Sequence, residues 1–401
     1  MVIDMKNVIV IGGGAGGILL SIALKQKTKD INVTILEKDD RIGKKILKTG
    51  NGKCNITNSN LNPSYYNDSE FVTPVLSKYN YEVISEYLSS LGLMMKSDDE
   101  GRVYPLSESA ASVLDVLMEK LKELKINVVT GSEVVDVKSK TAGYMVKTVD
   151  AEYEADYVVI SSGSRAQMKN YNNSYIKKLG LKLTDERPGL VSVLVKDKII
   201  SLSGVRTKCG VELYDNEEVV YSGNGEVLFK DDYLSGIVIM SASRFIGSGN
   251  YRFSIDLVKD KSEDQLYEYL CSLNKDLKGE HILMGVLPKM LSIYVLKYAS
   301  ISLEKCLGDL SVSDKRKIAK SLKNLVFNVI GVNGFDKAQI TLGGISLDEI
   351  EKTNLSLKRY DNVYVIGEVM DVDGECGGFN LSWAWAGALS VADDINKKGS
   401  R

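Results

Sequence analysis

Three glycines and one glutamate near the start of the chain have the spacing of a nucleotide-binding turn. An apolar run at 8–11 leads into Gly12, Gly14 and Gly17, and Glu37 closes a second apolar run. Gly12 permits a tight turn, Gly14 lets the backbone approach a pyrophosphate, and Gly17 lets the next helix pack close to the sheet. The helix N-terminus suits phosphate, and the Glu37 carboxylate suits a ribose diol. The pattern therefore predicts a dinucleotide site.

A second stretch, residues 49–58, combines glycines with three asparagines and follows a basic segment. The amides of Asn51, Asn55 and Asn58 can donate and accept hydrogen bonds at once, which suits the uracil-like edge of a flavin. Arg41 and Lys44 carry the charge to meet phosphate. A hydrophilic turn with solvated basic side chains is the alternative interpretation.

A third stretch, residues 364–380, places an acidic turn between a strand and a helix that we expect from Leu381 to Ala392. Gly377 and Gly378 open this helix, whose N-terminal dipole would stabilise the negative charge of a reduced flavin. We expect Asp373 to bind a ribityl hydroxyl. An acidic turn that binds nothing is the alternative.

Hydrophobic periodicity predicts the elements that must position these loops. It predicts helices over 18–25, 70–91 and 110–124, the last capped by Ser107 or Ser109. It also predicts short strands from 191 to 257 and a helical stretch from 261 to about Asn328. The predicted strands are 126–129, 133–137, 144–148, 157–160, 191–195, 210–214, 217–221, 227–229, 251–257 and 363–366.

Composition limits the possible partners. The chain has 401 residues, 44% hydrophobic and 26% charged, with a net charge of −2, so it can bury two or three cores. No basic stripe favours nucleic acid or an anionic membrane, and the apolar run from Val8 to Leu24 is interrupted by glycines. Five cysteines without zinc spacing indicate reduced thiols, no metal site and a cytoplasmic location.

Together, these stretches resemble the BaiN/YhiN-like family of FAD-dependent flavoproteins, within the two-dinucleotide-binding-domain flavoprotein group. The resemblance covers most of the chain and includes the segments 48–58, 101–105, 341–345 and 367–385. It implies an α/β fold: a discontinuous Rossmann-like FAD-binding domain with an inserted β-barrel-like domain and a helical subdomain. The expected boundaries are 1–187 for the first FAD segment, 188–258 for the β-domain, 259–335 for the helical subdomain and 336–401 for the second FAD segment.

The resemblance also implies cofactor contacts in the matching segments. The expected FAD-binding residues are Gly12, Gly14, Ala15, Gly16, Gly17, Glu37, Lys38, Arg41, Lys44, Asn51, Gly52, Cys54, Asn55, Val135, Ser162, Gly163, Gly367, Glu368, Asp373, Gly378, Phe379 and Asn380. The catalytic residues stay unassigned. Arg102, Asp231 and Tyr233 are weak candidates because the resemblance places their segments near the cleft.

Several positions depart from the family pattern. Lys53 replaces an arginine, which keeps the charge but loses the bidentate fork. Lys230 and Asp231 replace a Thr-His pair, so a proton-handling histidine is absent there. The sole histidine, His281, lies in a predicted helical stretch, and we expect it to be structural.

Three function classes remain open. The first is an NAD(P)H-driven reductase of a small conjugated or carbonyl-containing molecule, with the nicotinamide nucleotide as a transient donor because no second glycine fingerprint is present. The second is an oxidase that passes electrons from a small amine to oxygen. The third is a nucleic-acid-modification-linked or non-catalytic flavoprotein, which the balanced charge disfavours. A redox-active pair of Cys54 and Cys376 is a further hypothesis, against two thiols that merely pack near the ring.

Overall fold

The computed structural model describes residues 5–168 and 171–399. The described residues form two compact units, one within the ranges 1–187 and 339–401 and the other from 188–338. No helix in the described ranges is both long enough and apolar enough to cross a membrane.

The first segment of the first unit alternates strands and helices around a parallel sheet. Its strands are β1 (Lys6–Ile11), β2 (Ile31–Leu36), β3 (Thr57–Asn58), β4 (Met95–Ser97), β5 (Arg102–Pro105), β6 (Asn127–Val129), β7 (Val134–Ser139), β8 (Tyr144–Thr148), β9 (Glu152–Ala155) and β10 (Tyr157–Ile160). Its helices are α1 (Ala15–Lys27), α2 (Ser69–Lys78), α3 (Tyr81–Ser90), α4 (Ala110–Glu123) and α5 (Ser174–Lys178).

The second unit is a barrel with helices. Its strands are β11 (Arg187–Gly189, at the boundary), β12 (Val193–Val195), β13 (Arg206–Asp215), β14 (Glu218–Phe229), β15 (Tyr233–Ser235), β16 (Tyr251–Asp256) and β17 (Leu325–Val332). Its helices are α6 (Ile237–Ala242), α7 (Glu263–Ser272), α8 (Lys289–Tyr298) and α9 (Val312–Lys323). Strands β12, β15, β14, β13, β16 and β17 close the barrel in that order. The chain then returns to the first unit with β18 (Ile340–Leu342), β19 (Val363–Val365) and α10 (Phe379–Gly399).

The central sheet of the first unit has the strand order β19-β10-β1-β2-β6, and all of these pairs are parallel. Strands β1 and β10 are buried on both faces along most of their length, as expected where helices cover a parallel sheet. Because parallel strands end at one edge, the turns after β1 and β10 lie side by side there. The predicted α/β Rossmann-type fold with a barrel-like insert is confirmed.

Two predicted elements of the first unit were wrong. The helix predicted over 70–91 is two helices, because the Asn80 side chain accepts a hydrogen bond of 3.1 Å from the Val83 N–H and starts α3 afresh. Ser109 precedes α4, but its side chain makes no capping hydrogen bond.

Four predicted elements of the second unit also differ. The strands predicted at 217–221 and 227–229 are one strand, β14, because Gly223 and Gly225 pair with β13 instead of forming a turn. Helix α9 ends at Lys323, and Leu325 begins β17, whose pairing with β16 and β12 completes the barrel. The barrel therefore takes one strand from 259–335, which the sequence assigned to a helical subdomain. Strand β12 also starts at Val193 rather than Val191.

Candidate functional site

The glycines before and within α1 each have a distinct surrounding. A Cβ atom on Gly12, whose φ is +105°, would lie 2.4 Å from the Ser161 carbonyl oxygen. A Cβ on Gly17 would lie 2.1 Å from the Gly12 carbonyl oxygen, whereas a Cβ on Gly14 would meet nothing within 4 Å. Ala15 and Gly16 form the first turn of α1, which has no side-chain cap. The structure therefore leaves open space at Gly14, in front of a helix N-terminus whose N–H groups suit phosphate.

The Glu37 carboxylate lies beside this turn. One oxygen accepts a hydrogen bond of 2.8 Å from the Gly13 N–H, and the other accepts one of 2.9 Å from the Asp39 N–H. These bonds hold the carboxylate at the end of β2, where its remaining lone pairs can meet a ribose. The Lys38 ammonium lies 6.0 Å from the ring centroid of Tyr171, within the range of a cation–π contact.

The basic residues that follow behave differently from one another. Lys44 pairs with Asp40 at 2.5 Å and with Asp39 at 3.5 Å, so its charge is already matched. Arg41 is exposed and makes no hydrogen bond or ion pair with any described residue. Lys45, which the sequence analysis did not select, forms an ion pair with Glu368 across 323 positions.

Glu368 connects three loops of the first unit. Besides Lys45, it accepts hydrogen bonds from the Ser164 hydroxyl and, at 2.9 Å, from the Thr341 N–H. The Thr341 hydroxyl in turn accepts one of 3.0 Å from the Ala166 N–H. The predicted Glu368 is therefore an organising residue, and Gly367 beside it has a φ of +72°. Thr341 belongs to the segment 341–345, which the family resemblance includes. No local sequence pattern indicates that Lys45 would contact Glu368.

Three further predicted positions lie elsewhere in the first unit: Ser162 and Gly163 directly precede Ser164 in the chain, and Val135 lies in β7. The Ser162 hydroxyl accepts a hydrogen bond of 2.8 Å from the Tyr175 hydroxyl, and Gly163, with a φ of +67°, has open space at its Cβ position. Val135 lies where the pairing of β7 with β8 shifts register, and its carbonyl oxygen accepts a bond of 2.9 Å from Lys178.

The loop at 49–58 has an unusual backbone. Gly50, Asn51, Gly52 and Cys54 have φ values of +55°, +53°, +84° and +58°. A left-handed conformation is uncommon for cysteine, and such strain clusters at ligand sites. Asn51 and Gly52 are exposed at the tip, and a Cβ on Gly52 would meet nothing within 4 Å.

Asn55 carries an unpartnered buried atom. Its side-chain oxygen, Oδ1, is buried and has no hydrogen-bond partner among the described residues. A Cβ on Gly378 would lie 2.9 Å from this oxygen, so the amide lies against the N-terminus of α10. A buried acceptor without a donor costs about 1–3 kcal/mol. A ligand that donates a hydrogen bond at this point would remove that cost.

Side chains from 57–66 hold the N-terminus of α10. Asn58 donates to the Gly377 carbonyl oxygen at 2.8 Å, and the Tyr66 hydroxyl donates to the Phe379 carbonyl oxygen at 2.7 Å. The Asn380 amide accepts from the Gly374 N–H and donates to the Gly374 carbonyl oxygen, both at 2.9 Å. Asn58 and Asn380, which the sequence suggested as flavin contacts, thus use their amides to shape the turn.

Asp373 lies buried in the same turn, where its backbone N–H donates to Asn67 at 3.0 Å. The two predicted thiols lie in the loops beside it. Burial raises the pKa of Cys54 and of Cys376 to about 11 each. A redox-active thiolate needs a lowered pKa, so this environment disfavours the redox-pair hypothesis.

The three weak catalytic candidates lie in different units. Arg102 is held by Asp98 at 2.7 Å and by Glu100 at 3.0 Å, so two carboxylates already neutralise it. Asp231 and Tyr233 lie in the barrel unit, in a turn and at the start of β15. The catalytic role of all three stays a prediction.

The first unit therefore offers a cradle with two ends. At one end is the open Gly14 turn with Glu37 beside it, and at the other is the unpartnered Asn55 oxygen against Gly378. Phosphates suit the first end, and a heterocycle with an N–H donor suits the second. These residues fit FAD, which carries a pyrophosphate, a ribose and a flavin ring with such an edge.

Known proteins agree with this assignment. Residues 6–394 match the family model described as HI0933-like protein Rossmann domain. The chain is 32% identical over 397 residues to the 3-dehydro-bile acid delta(4,6)-reductase of Clostridium scindens, covering 95% of this chain and 97% of that protein. It is 24% identical over 400 residues to the ribosomal RNA dihydrouridine synthase of Escherichia coli, covering 97% and 98%.

A similar fold occurs in the solved 3-ketosteroid-delta4-(5alpha)-dehydrogenase of Rhodococcus jostii, with a TM-score of 0.50 and 15% identity over 98% of this chain and 97% of that one. The family match extends over nearly the whole chain and includes every loop of the cradle. The protein is an FAD-dependent oxidoreductase. It belongs to the HI0933-like Rossmann family.

Proposed function

We propose that the protein is an NAD(P)H-driven reductase of a carbon–carbon double bond conjugated with a carbonyl group in a small molecule. The main support for flavin binding is the buried side-chain oxygen of Asn55 at the N-terminus of α10, which has no hydrogen-bond partner among the described residues. FAD supplies two-electron hydride chemistry when bound, and the protein supplies its binding, orientation and electrostatic environment.

The reaction class draws support from the relatives. The names of the bile-acid reductase and of the dihydrouridine synthase both denote reduction of a ring carbon–carbon double bond. In chemical terms, a 3-oxo-Δ4 steroid and the uracil ring share one feature, a double bond conjugated with a carbonyl. A hydride adds to the far carbon of such a bond because the carbonyl accepts the electron pair.

A small molecule is preferred over RNA as the substrate. The 51 basic residues are matched by 53 acidic ones, so the chain lacks the excess positive charge that draws proteins to phosphate backbones. The higher identity, 32% against 24%, also lies with the relative named for a small molecule.

Within the cradle, each group has a binding role. The N–H groups at the start of α1 and the open face of Gly14 would hold the pyrophosphate, and Glu37 would hold the ribose. Asn55 would accept a hydrogen bond from the flavin pyrimidine edge, and the N-terminus of α10 would stabilise negative charge there. Lys45 and Glu368 would keep the surrounding loops in register. A nicotinamide nucleotide would bind only transiently.

The test is an anaerobic stopped-flow experiment on the FAD-loaded protein. We expect NADH or NADPH to bleach the flavin absorbance, and 4-androstene-3,17-dione, as a conjugated ketone probe, to restore it faster than air does. No bleaching by either nucleotide, together with reduction by a small amine and fast reaction with air, would indicate an amine oxidase instead. Reoxidation by an unmodified ribosomal RNA transcript and not by the ketone would move the substrate to RNA.

A binding experiment tests the cofactor geometry separately. Asn55→Ala removes the unpartnered oxygen, so we expect FAD affinity to fall about tenfold to hundredfold, the equivalent of about 1.4–2.8 kcal/mol. Asn32→Ala is the matched control, because Asn32 is an exposed asparagine of β2 in the same unit. Equal FAD retention in both variants, measured by equilibrium dialysis, would contradict the assigned contact.

A further inference from the structure

Tyr104 lies beside the loop at 49–58 of the first unit. It belongs to β5, the middle strand of the β3-β5-β4 sheet. Its neighbours Val103 and Pro105 are buried, so the alternation along the strand places Tyr104 on the opposite face, with Arg102. The ring edge, at Cε1, lies 3.5 Å from the Cβ position of Gly50, in the loop with left-handed residues.

The hydroxyl of Tyr104 is half-buried and makes no hydrogen bond within the described part of the chain. Other tyrosine hydroxyls in this unit are occupied, for example those of Tyr66 and Tyr175. A phenol without a partner beside a ligand cradle is available to that ligand or to a substrate. The neighbouring Arg102 is unavailable because Asp98 and Glu100 hold it.

Burial raises the pKa of Tyr104 above its ordinary value of 10.0. Charged Arg102 and Lys53 act against this shift, while Asp98 and the Cys376 thiol add to it. The phenol therefore keeps its proton throughout the neutral range. The Gly50 Cβ position beside the Tyr104 ring also lies 2.8 Å from the Asn55 backbone nitrogen, so the ring lies next to the residue whose side chain is assigned to the flavin edge.

We propose that Tyr104 is the proton donor of the reaction, a catalytic residue that touches the substrate beside the flavin. This assignment rests on the proposed function. A hydride adds to the far carbon of the conjugated double bond, and the electron pair moves to the carbon next to the carbonyl. That carbon takes the proton of the Tyr104 hydroxyl, and water then reprotonates the phenolate. Bound FAD would supply the hydride and a reduced nicotinamide nucleotide would restore it, so the reduction of one double bond would consume one NAD(P)H and one proton.

The first measurement uses Tyr104→Phe and the control Tyr87→Phe in the FAD-loaded protein. Tyr87 also has a raised pKa through burial, but it lies on α3 and donates to Gln26. We expect flavin reduction by NAD(P)H to be unchanged in both variants, and reoxidation by the ketone to slow about 10²–10³-fold only in Tyr104→Phe. An unchanged reoxidation rate in Tyr104→Phe would overturn the proposal.

A second variant guards against a purely structural effect. Tyr104→His restores a proton donor, so we expect it to recover part of the lost rate and to move the alkaline fall in reoxidation from above pH 10 to about pH 6.5. A rate as low as that of Tyr104→Phe at every pH would contradict proton donation.

A third measurement needs no turnover. The visible spectrum of the oxidised, FAD-loaded protein is recorded as the pH rises. Because the flavin N3–H also ionises in this range, the readout is the difference between proteins: a phenol against the ring should make the titration above pH 10 differ between the wild type and Tyr104→Phe, and leave that of Tyr87→Phe like the wild type. If the wild type fails to reduce any conjugated ketone, the proposed function and the donor role both fall, while this titration still decides whether Tyr104 lies at the cofactor. Identical titrations of the wild type and Tyr104→Phe would overturn that placement.

Discussion

The two glycine-opened helix N-termini of the cradle are built in opposite ways. The start of α1 is formed by neighbours in sequence: Gly14 precedes it without a side-chain cap, and the Glu37 carboxylate and the Gly43 N–H support the turn from outside. The start of α10 is held by side chains from a distant segment, above all Asn58 and Tyr66. The end proposed to bind phosphate is thus formed mainly by the backbone, whereas the end proposed to bind the flavin depends on long-range side-chain contacts.

The largest effect is expected from alanine substitutions at the start of α1, where one glycine is needed for packing and another is proposed to be needed for FAD binding. Gly17→Ala places a Cβ 2.1 Å from the Gly12 carbonyl oxygen, so we expect it to lower the free energy of unfolding by about 3 kcal/mol or more. Gly14→Ala meets open space and a permitted φ of −81°, so we expect less than about 1 kcal/mol of destabilisation but at least tenfold weaker FAD binding. Urea unfolding of the FAD-free variants and FAD titration check both. Equal destabilisation would show that the open space at Gly14 is not available to the ligand.

An intermediate effect is expected at the start of α10. Asn58→Ala removes a buried bond of 2.8 Å to the Gly377 carbonyl oxygen and one of 2.9 Å from the Asn60 N–H. We expect a loss of about 2–3 kcal/mol in the free energy of unfolding and weaker FAD retention. Asn62→Ala is the control, because Asn62 is exposed and caps only a short turn through the Ser64 N–H. If Asn58→Ala unfolds like the control, the turn before α10 does not depend on that side chain.

The smallest effect concerns the far ends of both helices. Asp393 of α10 pairs with Lys27 of α1 and with Lys78 of α2. Burial alone would raise its pKa, but hydrogen bonds from Lys27, Tyr79 and Lys78 outweigh it and lower the pKa to about 2. The stabilisation, about 1–2 kcal/mol, is therefore complete above the unfolded value near pH 4 and is lost as the pH falls through about 2.

Urea unfolding of the wild type and Asp393→Asn from pH 6 to pH 2 checks this sign. The gap between the two should close towards pH 2, while a constant gap would mean that the ionised carboxylate does not contribute. This test complements the two above because the ion pair between Lys27 and Asp393 joins α1 to α10 far from their N-termini. A change there should affect stability without touching either glycine-opened helix start.

The same contrast explains how far the sequence could predict the molecule. The Gly12–Gly17 turn lies within six consecutive residues, so spacing alone predicts its geometry, and the fold class follows from the strand and helix periods. The contact between Asn58 and Gly377 joins residues 319 positions apart, and that between Lys45 and Glu368 joins residues 323 apart. No local pattern encodes such a pairing.

Long-range pairing also explains the secondary-structure elements that were predicted wrongly in the barrel unit. The glycines at 223 and 225 are typical of turns, yet pairing with β13 keeps them in one strand. Residues 325–332 continue an apolar period after α9, but the open edges of β12 and β16 recruit them into the barrel. In both places tertiary pairing overrides local propensity.

The strand order of the central sheet also affects how the chain folds while it is being synthesised on the ribosome. Strand β10 lies between β1 and β19, and about 200 residues separate the end of β10 at Ile160 from the start of β19 at Val363. At about 5–20 residues per second, the edge of β10 waits roughly 10–40 s for its partner. During this time an apolar strand edge is open to pairing with other chains. Newly made chains should therefore aggregate more when translation slows, and truncations before β19 should be insoluble.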